Sequence, residues 1–77
     1  MSNSKLLDAL QNAQTEIATA LKAGSFPRGG DDSQYGLLGN LLLQIDVVKF
    51  SVKNDGKAGY NSAVSVDSLV NQYAKKT

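Results

Sequence analysis

The sequence predicts a mainly α fold, a helical hairpin followed by a short C-terminal helix, as one small domain spanning residues 1–77. Three observations predict it. Apolar residues recur at three- and four-residue steps in three stretches. Glycine-bearing segments, 24–30 and 56–59, separate them. A serine or aspartate able to cap a helix precedes or opens each stretch.

The first helix is predicted from a cap at Ser4, with Leu6, Leu10, Ala13, Ile17 and Leu21 as its stripe. Asp8 early and Lys22 late suit the helix dipole. Gly24 supplies a left-handed residue to end the helix, and Pro27 forbids its resumption. Residues 24–32 then form a loop holding the single proline, the single arginine and three of the seven glycines.

Asp31, Asp32 or Ser33 caps the second helix. This stretch has too much apolar surface for one face. Leu38, Leu41, Leu42, Ile45, Val48 and Val52 make one stripe, while Leu43, Val47 and Phe50 lie opposite, with Gly36 and Gly39. The two glycines signal either close approach of another element or a frayed first turn, since each costs about 1 kcal/mol against alanine inside a helix. From Val48 onward apolar and polar residues alternate, and Asp55-Gly56 follows, so an α+β alternative places a hairpin near residues 47–64. The proposed return strand is short of β-branched residues, which favours a helix ending near Asn54 with Gly56 beyond it. The third helix is capped by Ser65, carries Val66, Leu69, Val70 and Tyr73 as its stripe, and ends on Lys75 and Lys76.

Composition excludes much chemistry. There is no cysteine and no histidine, so disulfides, the commonest metal ligands and the usual catalytic triads are all missing. No cofactor motif is present, and the expectation is a protein that is not an enzyme. Asp31 and Asp32 sit where helix caps belong. Setting Gly56 at the sixth position of a calcium loop puts Ser51, Lys53 and Ser62 at ligand positions, and the pattern fails. The glycine loop lacks the phosphate-binding lysine motif, leaving Phe26, Arg28 and Tyr35 as candidate loop contacts.

Eight basic against seven acidic residues, a formal charge of +1, argues against nucleic acid as partner. The weaker nucleic-acid reading needs the hairpin to align Lys49, Lys53 and Lys57 on one face. Asn40, Gln44, Asp46 and Lys49 interrupt the most apolar stretch, so no membrane span is expected. No signal peptide is visible, which makes the cytoplasm or an assembled particle the default location.

A chain this short buries only about 60% of its unfolded surface and needs a staple, and oligomerisation is the one left over. The expected function is protein–protein association, first as a self-assembling structural subunit. The interface residues are expected to be Gly36, Gly39, Leu43, Val47 and Phe50. The alternative partner is a larger protein, docked by a small accessory or inhibitor protein of the kind phages and mobile elements encode.

Overall fold

A computed structural model describes residues 3–54 and 64–76. Its helices are α1 (Ser4–Lys22), α2 (Gln34–Lys53) and α3 (Val66–Tyr73). No strand occurs among the described residues. α1 and α2 form the hairpin, and α3 packs on both.

The α+β alternative fails where it can be judged. Residues 48–53 continue α2, and the helix closes on Asn54, whose backbone N–H reaches the carbonyls of Phe50 and Ser51. The Asn54 side chain donates to the Phe50 carbonyl as well, at 2.7 Å. Helical period thus wins over the alternation of Val48, Phe50 and Val52. The return strand and Gly56 lie outside the described residues.

Each helix end has a local cause. α1 starts one residue earlier than expected, with Asn3 at the cap position and Ser4 already helical. At the other end Gly24 takes a φ of +80°. The Gly24 N–H donates to the Leu21 carbonyl and the Ser25 N–H to the Ala20 carbonyl, both at 3.3 Å, which is the Schellman arrangement. Of the three candidate caps for α2, Ser33 is the one used, its hydroxyl accepting from the Gly36 N–H at 3.0 Å. Ser65 does the same for α3, accepting from the Ser68 N–H at 3.1 Å. Lys75 and Lys76 fall beyond α3, which stops at Tyr73. The chain there turns back onto α1, where the Lys75 N–H donates to Thr19 Oγ1 and its ammonium pairs with Glu16.

The core consists of Ala18 and Leu21 from α1, Leu42 from α2, and Leu69, Val70 and Ala74 at the C-terminal end. α3 presents the expected stripe. α1 does not. Its buried line runs Gln14, Ala18, Leu21, while Leu6 is 49% exposed and Leu10, Ala13 and Ile17 are only partly covered. The small Ala18 permits close approach along that line, and the polar Gln14 is chosen over the leucines for a reason given below.

By length and composition alone, α2 meets the measure of a membrane-crossing helix, where the sequence reading expects no span. A mostly buried core helix and a signal sequence near the N-terminus meet the same measure, so it is weak evidence of a span. Two of the four polar interruptions, Asp46 and Lys49, are turned toward the other helices, as described next.

Candidate functional site: a polar ring and an open apolar stripe

Two features of α2 stand out, on opposite sides of the helix. The first faces inward. Gln14 is fully buried and Lys49 is only 5% exposed. The Lys49 ammonium donates to Gln14 Oε1 at 2.7 Å and to the Tyr73 hydroxyl at 3.1 Å. The Tyr73 hydroxyl in turn donates to Asp46 Oδ1 at 3.1 Å. Gln14 Nε2 donates to the same carboxylate oxygen at 3.1 Å and, more weakly, to the Leu42 carbonyl at 3.4 Å. The four side chains close a ring that ties α1, α2 and α3 together. Gln14 displaces an apolar residue from the α1 line because its amide can both donate and accept here.

Burial shapes the electrostatics of the ring. Desolvation lowers the Lys49 pKa, opposed by the charge of Asp46 and assisted by Lys53. Desolvation first, then the Asp46 carboxylate, pushes the Tyr73 phenol up to about 12. The ammonium also lies 4.6 Å from the Tyr73 ring centre, in cation–π range. A desolvated lysine is one route to an amine nucleophile. Here the amine is held by two acceptors, and the cleft beside it, bordered by Asp46, Phe50, Lys53 and Tyr73, measures only about 140 Å³. Among the described residues no buried side-chain nitrogen or oxygen lacks a partner. A fully satisfied ring of this kind fixes one arrangement of helices.

The second feature faces outward. Leu37 is 58% exposed, Leu41 48% and Val48 45%. With Gln34, Gln44 and Ser51 they follow a four-three spacing that keeps them on one face of α2. No residue in that stripe is charged.

The structure distributes the sequence-derived interface residues between sides. Gly39 is buried under α3, where a Cβ would come within 2.9 Å of Val66 Cγ1. Gly36 backs onto the connecting loop, and a Cβ there would collide with the Gly30 carbonyl and lie 2.9 Å from the Asp31 backbone. Both glycines therefore serve close approach within the chain, and the helix is not frayed at its start. Leu43 packs on the core. Val47 is half-buried at the edge of the open stripe, and Phe50 borders the small cleft.

Of the loop residues, Phe26 packs on the core, and the Arg28 guanidinium lies 5.0 Å from the Tyr35 ring centre. Arg28 also pairs with Asp67 at 2.7 Å, linking the loop to the start of α3. These three residues border an open groove of about 470 Å³. The nucleic-acid reading loses its central residue, because the Lys49 ammonium points into the ring. No group of histidine, cysteine or acidic residues among the described residues could hold a metal ion. Compared with known protein families, curated proteins and solved structures, the chain matches none.

Proposed function

We propose that this protein is a non-catalytic helical module that works by association, and that its partner is a second copy of itself docked through the outward stripe of α2. The observation that carries this reading is the exposure of Leu37, Leu41 and Val48 on one uncharged helix face. Of the twenty residues of α2, only Gly39, Leu42, Ile45 and Lys49 are buried within the chain. Contiguous exposed apolar surface of this kind marks an interaction site more often than an accident of composition. An uncharged face meets its own copy without repulsion.

Half of each side chain remains to be covered, worth about 1 kcal/mol apiece. Six such side chains in a pair supply about 6 kcal/mol before association costs, which are of similar size. The contact is therefore reversible and concentration-dependent.

Light scattering over a concentration series tests it. Mass should rise above 8.1 kDa with concentration, and Leu41→Glu should hold the chain at monomer mass with unchanged helical circular dichroism. A wild-type chain that stays monomeric at millimolar concentration would refute self-association and leave docking onto a larger protein.

A further inference from the structure

Resting on that reading, we infer that the two copies pair antiparallel about a two-fold axis running between their α2 helices, at the level midway between residues 42 and 43, which closes the assembly as a dimer. The stripe is its own complement in that register. Leu37 of one copy meets Val48 of the second copy, Leu41 meets Gln44, and Gln34 meets Ser51, so apolar and polar positions match outward from the centre. The two Gln44 side chains, both exposed, lie three residues apart along the paired helices, about 4.5 Å. Each amide carries a donor and an acceptor, so the pair can bond reciprocally and fix the register, as a single buried polar pair does in coiled coils.

Charge at the helix ends selects antiparallel over parallel. Exposed Asp31 and Asp32 precede α2, and exposed Lys53 ends it. Antiparallel pairing sets the Asp32 end of each copy beside the Lys53 end of the second copy, twice by symmetry. Parallel pairing would bring the four carboxylates together at one end and both Lys53 ammoniums together at the other. The helix dipoles favour the same choice. Such a contact uses one patch on both copies, so it saturates at two, whereas a head-to-tail contact would continue into a filament.

The chain has no cysteine, so single-cysteine variants report pairing directly. Leu37→Cys and Val48→Cys chains are prepared reduced, mixed, and oxidised at a concentration where light scattering shows association. The mixture should form the mixed disulfide at least ten-fold faster than either variant links to itself. In antiparallel register the two Leu37 positions lie eleven residues apart, about 16 Å, beyond disulfide reach. Rapid self-linking of Leu37→Cys and of Val48→Cys would establish a parallel pair and overturn the inference. Growth of wild-type mass past twice 8.1 kDa would establish a head-to-tail chain and overturn it too. Slow linking indifferent to position in an associated chain would overturn the register, whereas a wild-type chain that stays monomeric at millimolar concentration would instead overturn the underlying reading of self-association. As a second check, Asp32→Lys and Lys53→Asp should each weaken dimerisation several-fold, and the double variant should recover it.

Discussion

Replacing Gln14 and Lys49 singly and together reveals whether the buried ring or apolar packing specifies this fold. Gln14→Leu removes the 2.7 Å acceptor of the Lys49 ammonium and the amide donor to Asp46. Lys49 is 5% exposed, so water cannot readily replace that acceptor, and Tyr73 alone cannot satisfy the charge. Breaking a buried charged arrangement from one side costs about 3–5 kcal/mol. Lys49→Met removes the charge but leaves Gln14 Oε1 buried without a donor, costing about 1–3 kcal/mol. The double variant leaves neither orphan and gains apolar contact, so its net cost should be within about 1 kcal/mol of zero. The cycle then gives a coupling of about 4–8 kcal/mol. Urea unfolding followed by circular dichroism, with linear extrapolation, measures all four proteins. Gln14→Leu should sit close to the edge of folding, since a domain of this size has only about 5 kcal/mol to lose. Additivity within about 0.5 kcal/mol, or a Gln14→Leu chain as stable as wild type, would refute the ring as a coupled unit.

The glycines should behave differently from their helix propensity. Gly36→Ala and Gly39→Ala each gain about 1 kcal/mol of intrinsic propensity, yet both should lower the urea midpoint. The Gly36 variant should be the worse, because its Cβ meets loop backbone rather than a movable side chain. Val66→Ala should partly rescue Gly39→Ala and not Gly36→Ala. The ring also sets the alkaline stability profile. The Lys49 pKa is lowered in the folded state, so stability is depressed while the amine is charged and rises as pH climbs through its folded value toward 10.5. Tyr73 works oppositely, its contribution being intact below pH 10 and lost between 10 and about 12, where the unfolded chain ionises first. Urea midpoints measured across this range should rise and then fall. Lys49→Met should abolish the rise, and Tyr73→Phe should abolish the fall along with the phenolate absorbance component near pH 12.

Local signals in the sequence were enough for the three helices and for some of their ends, though not for the Asn3 start of α1 or the Tyr73 end of α3. Gly24 as the left-handed terminator, Ser33 and Ser65 as caps, and the stripe of α3 all follow from residue chemistry within a turn or two. The faces were another matter. Leu6 and Leu10 outrank Gln14 on any apolar scale, yet Gln14 is the buried one, because its value depends on Lys49 thirty-five residues away. The available signal was the pair Asp46 and Lys49, an acid and a base three apart in the most apolar stretch, where chance would favour hydrophobes. Close approach at Gly36 and Gly39 was one of two readings the sequence left open, and nothing in it named the loop and Val66 as the occupants.

These details explain why α2 leaves leucines outside. Its apolar residues run almost all round, so rolling the helix about its axis would exchange one greasy face for another at little change in burial. Hydrophobicity alone therefore does not choose its orientation. Three directional contacts do: the Gly36 edge against the loop backbone, the Gly39 edge against Val66, and Lys49 with Asp46 in the ring. Rolling Leu37 and Leu41 inward would carry bulky side chains into the two glycine contacts and pull Lys49 from its acceptors. The exposed stripe is the consequence of satisfying these contacts first. The proposed second copy would cover it without disturbing any of them, so loss of association by Leu41→Glu should leave the monomer's urea midpoint unchanged, while Lys49→Met should shift the midpoint and leave the stripe competent to pair.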